Sequence, residues 1–136
     1  MSSGTKSTQP PSPNARQVGG THYKAPIQHW DWAGRNGLRY LEGCATKYVV
    51  REGRKPTEDP QQDLQKAAHY VEKLLELHLA GELPPRGVRT TKISDSEFAS
   101  ANELTKKEAR FVHLMHFWAN TNDLLEALAI VNGLIS

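Results

Sequence analysis

The chain has 136 residues, of which 38% are hydrophobic and 24% charged, and its formal net charge is only +2. This length is typical of one domain, and so small a net charge excludes a strong overall field that would attract DNA or a membrane surface. The single cysteine, Cys44, excludes an internal disulfide framework and a cysteine-built zinc site. The composition therefore predicts a small cytosolic domain without a membrane-spanning segment.

The first helix is predicted to follow a disordered N-terminal arm. Residues 1–20 are rich in Ser, Thr, Pro, Gly, Asn and Gln, and Val18 is their only sizeable apolar residue after Met1. So little apolar surface cannot offset the entropy of ordering the chain. Order is expected to begin near His22, and a short helix to start at Pro26 and end at Gly37.

Two amphipathic helices are predicted in the middle of the chain. Apolar residues recur at helical spacing from Leu38 to Val49 and predict a helix that ends near Gly53. The next helix begins at Pro60 and ends at Gly81, and its apolar stripe contains Leu64, Ala67, Ala68, Val71, Leu74, Leu75 and His78. Because the connection between the two helices is short, we expect them to pack as an antiparallel hairpin.

The last third of the chain predicts a second pair of helices. Residues 82–95 are assigned to a connector. Thr105 and Glu108 have the spacing of a capping box that starts a helix through Trp118, and Thr121 or Asn122 caps the final helix. The predicted fold is thus mainly α, with a helical domain over 21–81 and a C-terminal hairpin, 96–136, packed on it.

Polar residues with phosphate-binding potential lie on both helices of the predicted hairpin: Lys47, Arg51 and Lys55 on the first, and Asp63, Lys66 and Tyr70 on the second. The three cations lie four residues apart, so they project from one side of their helix and could hold phosphates. On the second helix, Asp63 could orient its neighbours or a metal-bound phosphate. The alternative is that Asp63 pairs with Lys66 or Arg51 and that the other charges form a solvated face.

Histidine and tryptophan residues supply further candidates. His22 could act at the basic face as a donor to phosphate or a general acid, with helix capping as the alternative. Trp30 and Trp32 cannot both face the same core, so one of them could be exposed and stack on a nucleobase; the alternative is that both pack against the C-terminal hairpin. His113 and His116 have helical spacing for two metal ligands but lack a third, so we predict a structural role and no metal site.

The residue pattern also carries a resemblance to a known family. The pattern comprises His22-Tyr23, Pro26-Ile27, the run from Tyr40 to Tyr48 with Arg51 and Lys55, and Asp63-Leu64-x-Lys66-Ala67-x-x-Tyr70. It resembles the SaV-like family of small bacteriophage proteins, which usually has Asn at the position of Cys44. One branch of that family is part of a podovirus nucleotide kinase for dGMP and dTMP, and another is a siphovirus protein sensed by a host abortive-infection system.

This resemblance implies a phage protein of the host cytoplasm that acts in nucleotide metabolism. It would bind a deoxynucleotide through Lys47, Arg51, Lys55 and Lys66, with Tyr70 or Trp30 against the base. With Mg²⁺ it could be a nucleoside monophosphate kinase in which Asp63 and His22 are catalytic, although no P-loop motif occurs in the chain. The alternative is a non-enzymatic effector, expected to be a homo-oligomer, that binds a host protein or sequesters a nucleotide signal.

Overall fold

The computed structural model describes residues 26–51, 59–87 and 91–135. These ranges contain helices and no strand, so the predicted mainly α fold is confirmed. The helices in chain order are α1 (His29–Arg35), α2 (Tyr40–Arg51), α3 (Pro60–Leu79), α4 (Asp95–Ala101), α5 (Lys106–Phe117) and α6 (Thr121–Leu134). The predicted N-terminal arm, His22 and Lys55 lie outside the described residues, and no helix within them is long and apolar enough to span a bilayer.

Helices α2 and α3 form the predicted hairpin. Arg51 at the end of α2 contacts Asp63 near the start of α3, whereas Tyr40 at the start of α2 contacts Tyr70 further along α3. The two helices therefore run in opposite directions. The apolar stripe of α3 is buried as predicted from Leu64 to Leu74, and Leu75 and His78 are half-buried.

Both ends of α3 follow from local sequence signals. Asp59 caps the N-terminus by accepting a hydrogen bond from the backbone N–H of Gln61, and Pro60 occupies the first helical position. At the other end, Gly81 has a φ of 76°, a left-handed conformation that favours glycine. The backbone N–H of Glu82 then reaches the carbonyl of Leu77 at 2.9 Å, which closes the last turn.

The core has two clusters, and α2 contributes to both. The larger cluster joins α2, α3, α5 and α6 and is built from Ala45, Val49, Leu64, Ala67, Ala68, Val71, Leu74, Phe111, Leu114, Met115, Trp118, Leu124, Ala127 and Val131. The smaller cluster joins α1 and α4 to α2 and α5 through Trp32, Ala33, Val50, Phe98 and Val112. Neighbouring residues Val49 and Val50 thus face different clusters, which holds α2 between two packed surfaces.

Three helix starts differ from the sequence expectation. Helix α1 begins at His29, after Pro26 rather than at it. Helix α4 was not predicted. Ser94 caps it by accepting a hydrogen bond from the N–H of Glu97 at 3.0 Å. Ser94 and Glu97 have the same spacing in the sequence as Thr105 and Glu108, whose capping box is confirmed. Helix α6 is capped by Asn120 rather than by Thr121 or Asn122, because the Asn120 side chain accepts from the N–H of Asp123.

The connector after α3 is fixed to the ends of two helices. Arg86 donates to the carbonyl oxygens of Asn36 and His116, each at 2.7 Å, and so satisfies backbone acceptors that helix ends leave open. The Asn36 side chain in turn accepts from the backbone N–H groups of Lys92 and Ile93. These contacts join the end of α1 to the end of α5 and to the residues that precede α4.

Candidate anion-binding site

Three of the predicted cations meet at one tyrosine ring. Lys47 Nζ lies 5.0 Å, Arg51 Cζ 4.8 Å and Lys66 Nζ 5.2 Å from the ring centroid of Tyr48. These distances are within the range of a cation–π interaction. We call this group, Lys47, Arg51 and Lys66 around Tyr48, the Tyr48 patch. The sequence analysis gave Tyr48 no binding role, yet it is the residue around which the cations gather.

Tyr70 extends this surface. Its ring stacks on Tyr48 with centroids 6.0 Å apart and an interplanar angle of 11°, and it meets the ring of Tyr40 edge-on at 6.1 Å. Hydrogen bonding to Tyr40 raises the pKa of the Tyr70 phenol, and the neighbouring Cys44 thiol adds to the effect. The phenol therefore stays protonated at neutral pH and can serve as a hydrogen-bond donor rather than as a base.

Arg51 has an acidic partner, whereas the two lysines have none among the residues that the structure describes. Arg51 Nη2 lies 3.0 Å from Oδ1 of Asp63, whose side chain is fully buried. The structure thus shows the pairing of Asp63 with Arg51 that the sequence analysis considered as the alternative. Within the described ranges, neither Lys47 nor Lys66 forms an ion pair. An anion at the Tyr48 patch would therefore meet Lys47 and Lys66 first.

A cavity of about 340 Å³ lies between α1 and α2, beside the patch. Its walls are formed by His29, Trp30, Ala33, Gly34, Leu38, Arg39, Tyr40, Gly43, Cys44 and Lys47. Trp30 is 56% exposed and Tyr40 is 72% exposed, so both rings can be reached from solvent, whereas Trp32 is fully buried. One tryptophan is thus exposed and the other is in the core, as the spacing predicted. Lys47 belongs to both the cavity and the Tyr48 patch.

His29 forms part of the inner wall of this cavity. Its Nε2 lies 2.8 Å from Oγ1 of Thr46, one of the buried polar residues of α2. Burial lowers the pKa of His29 to about 4, and the charge of Lys47 acts in the same direction. The imidazole is therefore neutral at physiological pH. No sequence signal identified His29, because its role depends on the contact between α1 and α2.

The acidic residues described near the patch do not fit a Mg²⁺ site. The Glu42 side chain is fully buried, where it accepts hydrogen bonds from Arg39 at 2.7 Å and from Trp118 Nε1 at 2.9 Å. Asp63 is buried against Arg51. Mg²⁺ needs open carboxylate oxygens and room for its water ligands, which these two residues do not offer. Among the residues that the structure describes, no three His, Cys, Asp or Glu side chains form a metal-binding group.

His113 and His116 instead belong to a hydrogen-bonded cluster around Asp95. Asp95 Oδ1 lies 2.7 Å from His116 Nδ1 and accepts from Trp32 Nε1 at 2.9 Å, while Oδ2 lies 3.0 Å from His113 Nδ1. Burial alone would raise the pKa of Asp95, but the hydrogen bonds from His116 and Trp32 outweigh it and hold that pKa below its usual value. The cluster joins α1, α4 and α5, and the sequence analysis missed Asp95 because it assigned this residue to the connector.

Comparison with known proteins identified no relative of this chain. No protein-family description, curated protein or solved structure matches the chain. The resemblance to the SaV-like family stays a prediction from the residue pattern, and the functional argument rests on the geometry of the Tyr48 patch and the cavity beside it.

Proposed function

We propose that the protein binds a nucleotide, with the base in the cavity between α1 and α2 and the phosphates on the Tyr48 patch. The observation that carries this proposal is the position of Lys47, which lines the cavity and also lies 5.0 Å from the Tyr48 ring. One side chain thus connects an aromatic-walled recess to a group of cations. A nucleotide has the matching arrangement, since a flat ring and an anionic group are joined through a sugar.

The cavity supports the base part of the proposal. Ligand pockets usually have apolar and aromatic walls with a few polar groups, and about 340 Å³ is within their usual range of volumes. Trp30 and Tyr40 stand at its walls with more than half of their surface exposed. Stacking of a base on such a ring contributes about 1–3 kcal/mol and tolerates different bases.

The cations support the proposed position of the phosphates on the Tyr48 patch. Lys47 and Lys66 both approach Tyr48 to about 5 Å, beside the guanidinium of Arg51. Like charges gathered around one ring repel one another, and a bound phosphate would replace that repulsion with attraction. The single buried carboxylate of Asp63 offsets one of these charges, so the described residues of the patch retain a net positive charge.

Binding without phosphoryl transfer is the form of the proposal that this geometry favours. Phosphoryl transfer depends on Mg²⁺ held by open carboxylates, and Glu42 and Asp63 both face inward. A protein that sequesters a nucleotide needs only the ring site and the cations. The kinase reading would need a carboxylate from another part of the chain, such as Glu52 or Glu58, which lie outside the described residues.

Calorimetric titration with the four deoxynucleoside monophosphates and triphosphates, with and without Mg²⁺, tests this proposal. We expect Lys47→Gln to weaken binding roughly 10- to 100-fold, the usual effect of losing a charge-assisted hydrogen bond. The matched control is Lys107→Gln, which removes an exposed charge from the first turn of α5, away from the cavity lining. The proposal fails if no nucleotide binds, or if Lys47→Gln binds as tightly as Lys107→Gln.

A further inference from the structure

The polar side chains that line the cavity have hydrogen-bond partners within the protein. The His29 ring hydrogen-bonds to the backbone of Gly43, and its Nε2 lies 2.8 Å from Oγ1 of Thr46. Both partners belong to α2, whereas His29 belongs to α1. These hydrogen bonds therefore join the two helices that form the cavity.

Arg39 is held in a similar way. Its Nη2 and Nε lie 2.7 Å and 3.3 Å from the two carboxylate oxygens of Glu42, and its Nη1 donates to the carbonyl oxygen of Pro84 at 2.8 Å. The Glu42 side chain is fully buried and compensates the charge of the guanidinium. Although Arg39 lines the cavity, it brings no unpaired charge to it.

The polar tips of Tyr40 and Cys44 interact with Tyr70. Hydrogen bonding to Tyr40 raises the pKa of the Tyr70 phenol, and a hydrogen bond with Cys44 adds to this shift. Other residues of the wall have apolar side chains or none: Ala33, Gly34, Leu38 and Gly43. Of the charged side chains on this wall, Lys47 thus has no ion-pair partner within the described ranges, and it lies where the cavity meets the Tyr48 patch.

The cavity also opens to solvent. A polar atom of its wall that meets no matching group on a ligand is therefore hydrated. Strong discrimination between bases requires a buried polar group that the wrong base leaves unpaired. The cavity offers instead the exposed rings of Trp30 and Tyr40, and stacking on an aromatic ring is available to purines and pyrimidines alike.

We propose, building on the nucleotide site argued above, that the site selects its ligands by their phosphates and accepts all four bases. The ligand class is then nucleotides as a group rather than the nucleotides of one base. Adenine and guanine have similar stacking surfaces but different hydrogen-bonding edges, so the cavity should hold them with similar affinity. A phosphate, in contrast, meets Lys47 and Lys66, whose charges no described acidic residue compensates.

Competition titrations on the full chain measure the effects of base and phosphate separately. The affinities for dAMP and dGMP, and those for dCMP and dTMP, should agree within about threefold. A single base-specific hydrogen bond to a buried group would instead separate the members of a pair by about tenfold or more. Thymidine should bind at least about tenfold more weakly than dTMP, because it lacks the charge-assisted hydrogen bonds of the phosphate.

Lys47→Gln provides a second readout of the same selection. It should reduce the ratio of the affinities for dTMP and thymidine, and it should leave the ratio for dAMP and dGMP unchanged. The matched control Lys107→Gln should leave both ratios as they are in the parent protein. If Lys47→Gln does not fold, the two ratios measured on the parent protein still decide the proposal.

The outcomes separate this proposal from the nucleotide site itself. A preference of tenfold or more within either pair of bases would overturn the proposal and leave the nucleotide site in place. A changed ratio for dAMP and dGMP in Lys47→Gln would also overturn it, since Lys47 would then read the base. Thymidine that binds as tightly as dTMP would overturn selection by phosphate. Failure of every nucleotide to bind would overturn the proposal together with the nucleotide site.

Discussion

Arg51 has two roles that depend on different neighbours. Its guanidinium lies 4.8 Å from the Tyr48 ring, and it also pairs at 3.0 Å with the fully buried carboxylate of Asp63. Burying a carboxylate costs several kcal/mol unless a partner compensates the charge. The residue that completes the Tyr48 patch is therefore also the ion-pair partner of the buried Asp63 side chain where α2 meets α3.

Removing Arg51 should destabilise the protein as well as weaken the site. We expect Arg51→Ala to lose about 3–5 kcal/mol of the free energy of unfolding, because it leaves the Asp63 carboxylate buried without its partner. Urea denaturation measures this loss. The double variant Arg51→Met, Asp63→Leu should recover most of it, since both charges are then gone. An unchanged urea midpoint in Arg51→Ala would show that the buried ion pair does not stabilise the fold.

His29 should make the stability depend on pH. Its pKa is lowered from 6.5 to about 4, so between these values the unfolded chain binds more protons than the folded one. The contribution of His29 to the free energy of unfolding is then fully present above about pH 6.5. It falls as the pH drops toward 4, by at most about 3 kcal/mol. The lowered pKa of Asp95 acts in the same direction but below the usual carboxyl pKa of 3.8, outside this window.

Urea denaturation at pH 7, 5.5 and 4.5 measures the contribution of His29. The parent protein should lose stability across this series, and His29→Phe should lose less because the titrating group is absent. If the variant and the parent lose the same free energy between pH 7 and 4.5, His29 is not the group whose protonation opposes folding.

At the scale of the elements, Asp95 determines how α4 and α1 attach to α5. It accepts from Trp32 of α1 and contacts His113 and His116 of α5, while lying itself in the first turn of α4. Helix α1 supplies one wall of the cavity. The hydrogen bond from Trp32 of α1 to Asp95 therefore helps to fix the position of that wall. The short α1 and α4 helices have little intrinsic stability, so contacts of this kind have to position them.

Loss of the Asp95 carboxylate should therefore lower the free energy of unfolding. Asp95→Ala leaves the buried donors Trp32 Nε1 and His116 Nδ1 without their acceptor, which we expect to cost about 2–4 kcal/mol. The control is Glu97→Gln, an exposed position on the same helix where the amide can still accept from Ser94. Thermal or urea unfolding that shows equal effects of the two changes would contradict the role given to Asp95.

Helix α3 allows a matched test of the packing. Leu74 is fully buried in the larger core cluster, whereas Leu79 at the end of the same helix is 66% exposed. Leu74→Ala should cost about 2–5 kcal/mol through lost burial and the cavity it leaves, while Leu79→Ala should stay within about 0.5 kcal/mol. Similar urea midpoints for the two variants would mean that the α3 stripe does not face the core.

At the scale of the whole molecule, features that depend on local sequence signals were predicted, whereas contacts between distant helices were not. Pro60, Gly81 and the Thr105–Glu108 box act on residues within one turn of themselves, and the structure confirms each of them. The same rule could have found α4 from Ser94 and Glu97. The meeting of His29 with Thr46, or of Asp95 with His113, depends on how whole helices pack, and helical spacing alone does not specify this.

In the candidate site too, local spacing was predictable from the sequence, whereas contacts between helices were not. Spacing on α2 brought Lys47 and Arg51 to one side, and the hairpin added Lys66 and Tyr70, so the group could be predicted from the sequence. What the sequence could not show is that Asp63 is buried against Arg51, because exposure depends on packing between helices. The cavity is likewise formed only when α1 is held against α2.

The single cysteine gives the most direct test of the central claim. Cys44 is the only cysteine of the chain and lines the cavity between α1 and α2. A nucleotide bound there should shield its thiol from a reagent such as 5,5′-dithiobis(2-nitrobenzoate), and at about ten times Kd the labelling rate should fall about tenfold. Lys47→Gln should abolish this protection at the same nucleotide concentration, and Lys107→Gln should keep it. A labelling rate that is the same with and without saturating nucleotide would contradict a nucleotide site in this cavity.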